Sequence, residues 1–142
     1  MWQRIQTLYI GIATALVASL FFCTFATIIG PSGEEIHIAY HDKTSYLVFL
    51  IMLLTASICA LFSYKMRFLQ ARVCTISALL LIGFQIWLGV DYLRFRNEMV
   101  FSFTMMFPIV AAILEIMAAR SAMVDEVTLQ AVKSVRKIRR KK

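Results

Sequence analysis

Long apolar stretches separated by short polar segments dominate the pattern of this chain. The first stretch carries no charge from Ile5 to Gly33, and the second carries none from Thr44 to Tyr64. Two more follow at residues 73–90 and 99–119, the last interrupted by Glu115. Because a helix needs about 20 apolar residues to cross a hydrocarbon core, we predict four membrane-spanning helices, at about 6–29, 45–64, 73–90 and 99–119.

Short polar connections set the order in which these helices pack. Residues 65–72 and 91–98 are too few for a crossover, so consecutive helices are expected to lie antiparallel. We therefore predict an all-α membrane protein, with residues 1–119 forming an up-down-up-down four-helix bundle. Residues 120–142 form a basic, amphipathic tail helix with apolar residues three or four positions apart: Val124, Val127, Ala131, Val135 and Ile138.

Composition agrees with a membrane protein. Hydrophobic residues make up 61% of the chain and charged residues 16%, whereas soluble proteins have roughly 45–50% apolar and about 25% charged residues. A soluble domain of 142 residues cannot bury so much apolar surface. Lipid can take the place of water around it.

The distribution of Lys and Arg predicts the orientation of the bundle. In the predicted topology, twelve cations lie on the side of the two termini and three on the other side. Cytoplasmic flanks carry the excess of Lys and Arg in membrane proteins. We expect both termini in the cytoplasm. The formal net charge of +7 is therefore interpreted as topology and attraction to anionic lipid, and no nucleic-acid partner is expected.

Three residues are candidates for an intramembrane polar site. Glu115 is the acidic residue inside a predicted span, and such carboxylates are often functional. Because Arg120 follows five residues later, we favour a position near the cytoplasmic interface, where water or Arg120 satisfies the carboxylate; a proton or substrate role is the other possibility. Pro108 is expected to kink the fourth helix, and Gln85 to seek an interhelical hydrogen bond near that kink.

The first outer loop contains the two histidines of the chain, His37 and His41, close to several carboxylates. Residues 36–40 alternate like a short strand, and the spacing matches no specific metal site. We expect no metal, no cofactor and no catalytic site, and hence no enzyme. Intramembrane haem ligation by His pairs is excluded because neither His lies in a predicted span.

Either lipid or protein could cover the apolar stripe of the tail helix. Its acidic residues come early and its cations late, which suits a helix dipole. The helix could lie on the inner leaflet with its cations among anionic headgroups, which we favour. Alternatively, it docks on a protein partner or on a second copy of the chain.

Three stretches of sequence resemble a known family. They are residues 3–9, beginning Gln3-Arg4; residues 64–74, from Tyr64 to Cys74; and Phe107-Pro108-Ile109, followed by Ala119-Arg120 and Asp125-Glu126. Together they resemble the domain-of-unknown-function family 4293, bacterial proteins with four predicted spans. The resemblance implies an inner-membrane location and no defined activity.

Our leading hypothesis is a small, non-enzymatic inner-membrane subunit or scaffold. Its cytoplasmic face would bind anionic lipid or a protein partner, in a membrane complex or a homo-oligomer, and the same residues would serve equally as topology determinants. The candidate contacts are Arg4, Lys65, Arg67, Gln70, Arg72, Lys137, Arg139 and Arg140. The alternative is a small oligomeric transporter or proton-coupled carrier using Glu115. That alternative requires Glu115 to face the bundle interior or a symmetry axis.

Overall fold

The computed structural model describes residues 2–141, with side chains from Ile5 onward. Within this part, four helices form an antiparallel bundle, which confirms the predicted fold class. Each helix packs against its neighbours in sequence, and α1 also packs against α4 to close the bundle. The helices are α1 (Trp2–Leu20), α2 (Thr44–Phe62), α3 (Arg67–Phe95) and α4 (Phe107–Arg139); the strands are β1 (Thr24–Ile29), β2 (Glu35–Ala39) and β3 (Val100–Phe101).

Three helical segments of the described chain are long and apolar enough to cross a membrane: Thr44–Lys65, Arg67–Phe95 and Phe103–Arg139. The first helix is a shorter apolar helix, because α1 ends at Leu20 and not near Ile29. The predicted bound of 29 was therefore wrong. An apolar run fits a helix and a buried strand equally well, and residues 24–29 are rich in β-branched side chains.

A small sheet replaces the end of the predicted first span. Strand β1 lies in the centre and pairs antiparallel with β2 on one side and β3 on the other. The turn between β1 and β2 is closed by the Gly33 amide, which donates to the Gly30 carbonyl at 2.9 Å. Gly33 has a φ of +81°, a conformation that glycine adopts without steric cost. Strand β2 confirms that the outer loop contains a short strand, as the pattern of residues 36–40 suggested.

Helix α4 begins and ends differently from the prediction. Pro108 lies in its first turn, where a missing amide donor costs nothing, so it begins the helix and does not kink it. At the other end, α4 continues through the predicted boundary at 119–120 as far as Arg139. The tail is therefore helical as predicted but is the continuation of α4. Beyond Glu126 its described residues are all exposed, and we call residues 127–139 the projecting segment.

The bundle has two unlike ends. At the sheet end, the three strands cover the helices over a core of aromatic and aliphatic side chains that includes Phe25, Tyr46 and Phe84. The terminal end holds the start of α1, the connection between α2 and α3, and the point where α4 leaves the bundle. A second apolar cluster lies there, around Ile10 and Cys74.

Candidate functional site

A polar layer lies between the two apolar clusters. Glu115 on α4, Ser57 on α2 and Ser77 on α3 are each fully buried. The Ser57 hydroxyl donates to Glu115 Oε1 at 2.8 Å, and the two serine hydroxyls lie 3.5 Å apart. Three helices thus meet at one carboxyl group in the middle of the bundle.

Glu115 is therefore not the interfacial residue that its spacing to Arg120 suggested. Five residues of helix turn the side chain by roughly 140°, so Glu115 faces the interior while Arg120 is exposed. The expectation that water or Arg120 satisfies the carboxylate was wrong for this reason. Among described residues, Glu115 Oε2 has no hydrogen-bond partner. A carboxyl in this position can hold a proton or donate to a small polar ligand.

Gln85 and Pro108 do not belong to this layer. Gln85 lies eight residues after Ser77 on α3, roughly 12 Å along the helix, and lines a groove of about 460 Å³ at the sheet end. Its Oε1 atom is buried without a described partner. Pro108 is buried at the start of α4. The three candidate residues are thus distributed over two levels of the bundle.

The cations of residues 64–74, the second stretch that resembles the family, lie at the terminal end. Lys65 and Arg72 are exposed there and Arg67 is half-buried, and the Arg72 guanidinium lies 4.2 Å from the centre of the Phe68 ring. Gln70, in contrast, is 3% exposed and points inward. Its Nε2 group has no hydrogen-bond acceptor among the described residues. It is therefore unavailable to an outside ligand. The side chain of Arg4 lies outside the described residues.

The cations of the tail are far from that cluster. Lys137, Arg139 and Arg140 are exposed at the end of α4. The last buried residue of α4 is Ala122, and the rise of the helix places these cations about 22 Å or more beyond it. The candidate contact residues therefore form two separate basic surfaces, one on the bundle and one on the projecting segment.

Two polar contacts were not predicted from the sequence. At the terminal end, Gln6 Nε2 donates to Asp125 Oδ2 at 2.7 Å and to Ser121 Oγ at 3.1 Å, which ties α1 to α4 where α4 leaves the bundle. Gln6 is 2% exposed. Both Gln6 and Asp125 lie in the family-like stretches, and this was the available signal. A single sequence shows no pairing between residues more than 100 positions apart.

The second missed contact holds the sheet end. The Lys43 ammonium lies 2.8 Å from Asp91 Oδ2, and the Tyr46 hydroxyl donates to the same oxygen. Asp91 is 6% exposed, so both partners are needed to satisfy its charge. Nearby, burial raises the pKa of Tyr40 to about 12. These groups join α2 to α3 beneath the sheet.

The two histidines make local contacts. His37 Nδ1 lies 3.1 Å from the Thr27 hydroxyl across the β1–β2 pair, and His41 Nδ1 lies 3.2 Å from the Phe21 carbonyl. Within the part of the chain that the structure describes, no group of three or more His, Cys, Asp or Glu side chains is arranged to hold a metal ion.

Comparison with known proteins gives one match. The family model described as a domain of unknown function (DUF4293) matches residues 2–135. No curated protein and no solved structure matches the chain. The family match covers all of the bundle and most of the projecting segment.

Proposed function

The chain belongs to the DUF4293 family, and we propose that it acts as a non-enzymatic membrane subunit that docks a cytoplasmic protein on the projecting segment of α4. The observation that carries this proposal is the unbroken course of α4 from Phe107 to Arg139. A helix that spans the membrane and continues without interruption presents its last turns to partners away from the bilayer.

The geometry of α4 favours a protein, and not the lipid leaflet, as the surface that covers the apolar stripe. About 20 residues suffice to cross the hydrocarbon core, so a span that starts at Phe103 ends near Ala122, the last buried residue of α4. The projecting segment then extends roughly 20 Å further. A straight continuation of a spanning helix cannot lay its side on the leaflet.

The surface of the projecting segment indicates the chemistry of that protein. Val127, Val135 and Ile138 are 67%, 64% and 64% exposed, an apolar stripe without a cover among the described residues. Lys133, Lys137 and Arg140 lie on other faces of the same helix. A groove with an apolar floor and acidic rims fits this pattern, as in other helix-in-groove complexes.

The Gln6–Asp125 contact supports the same proposal because it fixes the direction of the projecting segment. Asp125 lies two residues before that segment and is held by a fully packed residue of α1. A helix anchored at its point of exit loses less conformational freedom when it binds. The docking surface is thus partly ordered before the partner arrives.

Orientation and location complete the proposal. The excess of Lys and Arg on the side of the termini supports a cytoplasmic projecting segment, and the family resemblance supports the bacterial inner membrane. Reporter fusions at Lys142 and in the β1–β2 turn near Ser32 test this orientation. A reporter active in the periplasm at Lys142 would contradict it.

Photo-crosslinking in intact cells tests the docking surface. A photoreactive residue at Val127 or Val135, on the stripe, is expected to give a discrete adduct with another protein. The same residue at Lys133, on the opposite face, serves as the matched control and should give none. Adducts with lipid alone, or equal adducts from both faces, would contradict the proposal; an adduct of two copies of the 16.2 kDa chain would identify the partner as a second copy.

The burial of Glu115 favours a second candidate function, a proton-coupled carrier. Such a carrier requires a carboxyl facing the interior, and Glu115 lies there with Oε2 unpartnered among described residues. Proton movement into proteoliposomes, compared for wild type and Glu115→Gln, tests this candidate. Flux that vanishes in an assembled Glu115→Gln protein would favour the carrier over the subunit; absence of flux in both would reject it.

A further inference from the structure

A groove runs along the outer surface of the bundle between α3 and α4. Its volume is about 450 Å³, within the range of small-molecule sites. Small residues, Ala78 and Ala119, form its floor, and larger apolar side chains form its walls. Because both helices are long and apolar enough to cross a membrane, the groove faces the space that lipid chains occupy.

One positive charge in this groove is uncompensated. Arg120 lines the groove midway between Ile116 and Val124 of α4, and among described residues no side chain forms a hydrogen bond or ion pair with it. The nearest acid on the next turn, Asp125, already accepts a hydrogen bond from Gln6 on α1. The guanidinium is therefore free to receive an anion from outside the protein.

A second cation lies toward the terminal end of the bundle. Arg72 precedes Thr75, a lining residue, by three positions, and residues three or four apart share a face of a helix. The face of α3 that carries Thr75, Leu79 and Ile82 in the groove thus ends in Arg72. Stacking on the Phe68 ring holds this guanidinium in place. The groove thus has two nearby arginines, Arg120 in its α4 lining and Arg72 one turn beyond Thr75 on α3.

From this arrangement we propose that the groove between α3 and α4 is a binding site for an anionic phospholipid. One acyl chain lies between Thr75 and Ile82 of α3 and the facing residues of α4, and the phosphate lies between Arg72 and Arg120. Arginine suits this role because its planar fork donates two hydrogen bonds to one phosphate. The site is separate from the projecting segment, so its occupancy does not depend on the docking of a protein there.

Native mass spectrometry of the purified full chain tests this site, with phosphatidylglycerol and phosphatidylcholine as the probes. One phosphatidylglycerol is expected to bind in preference to phosphatidylcholine. Arg120→Gln and Arg72→Gln should each weaken its binding by roughly tenfold, the value of one charge-assisted contact. Lys133→Gln removes a charge outside the groove and is the matched control.

A second pair of variants separates the groove from the headgroup contacts. Thr75→Phe places a ring in the groove from an exposed position, so the fold is retained while the acyl chain is displaced. Ile76→Phe adds similar bulk at the next exposed position, which does not line the groove, and should bind as wild type does. Equal binding of the two lipids, or undiminished binding by Thr75→Phe or by both arginine variants, would overturn the proposal. Arg120→Lys, which keeps the charge, should bind better than Arg120→Gln; the reverse order would also count against it.

Discussion

The two ends of the bundle are built on opposite principles. At the sheet end, aromatic rings interlock and the buried carboxylate of Asp91 is paired with Lys43. Phe25 contacts Tyr40, Tyr46 and Phe101 at centroid distances of 5.1–5.4 Å. At the terminal end, exposed cations surround a few anchoring polar contacts, and a helix continues away from the body of the protein. The first end is held by packed contacts, whereas the described residues of the projecting segment at the second end are exposed.

This difference is the reason why we place the proposed binding surface at the terminal end. Loops and helix extensions that a rigid body presents are the usual locations of binding surfaces. The closed sheet end supplies the rigidity, and the polar layer at Glu115 lies between the two regions. We therefore expect substitutions at the sheet end to change stability, and substitutions at the terminal end to change binding more than stability.

The largest expected effect is at the centre of the aromatic cluster. Phe25→Ala removes a ring that is 4% exposed and touches three others, so we expect a loss of roughly 3–4 kcal/mol in the free energy of unfolding. Thermal unfolding in mild detergent measures it. Phe22→Ala, at a ring that is 91% exposed, is the control and should change little. Equal effects of the two variants would remove the distinction between the ends.

The ion pair beneath the sheet should rank next. Asp91→Ala leaves the Lys43 ammonium and the Tyr46 hydroxyl without their shared acceptor, at a cost of roughly 2 kcal/mol because Lys43 remains partly hydrated. Asp91→Asn keeps an acceptor oxygen and should lose less. Denaturation of the two variants in detergent gives the comparison; an alanine variant as stable as wild type would contradict the assigned role.

The smallest effect on stability is expected at the terminal end. Gln6→Ala removes the contacts to Asp125 and Ser121, which are worth about 1 kcal/mol at a partly wet position. Its main consequence should be reduced adduct formation by the photoreactive residue at Val135, because the projecting segment loses its anchor. A Gln6→Ala protein with undiminished adducts would show that the anchor does not serve docking.

The helices were predictable from the sequence because each consists of a long apolar run, and the stripe on the tail was predictable because its spacing is helical. Sheet residues 24–29 were not, since their apolar run continues the first helix without a break. The role of Pro108 depends on where α4 begins. That start was not predictable, because the two-residue strand and the short 3-10 helix that precede α4 have no clear sequence pattern.

The candidate site was less predictable than the fold. Glu115 was found as an unusual residue, but its orientation depends on the rotation of α4, which the partners Ser57 and Ser77 on other helices reveal. The continuation of α4 was missed because a charged residue, Arg120, marks the end of the apolar run without ending the helix. Hydropathy shows where apolar residues stop, whereas backbone hydrogen bonding decides where a helix stops.

We propose that α4 continues straight out of the membrane, and a distance between two spin labels tests this course of the helix most directly. With the three cysteines replaced by alanine, labels are attached at Met117 and Ile138, both exposed positions of α4. In bilayers containing phosphatidylglycerol, double electron–electron resonance should give a distance of roughly 32 Å, the rise of an unbroken helix over this interval. A distance of about 22 Å would mean that the helix bends at the membrane surface and lies on the leaflet, which would contradict a straight α4.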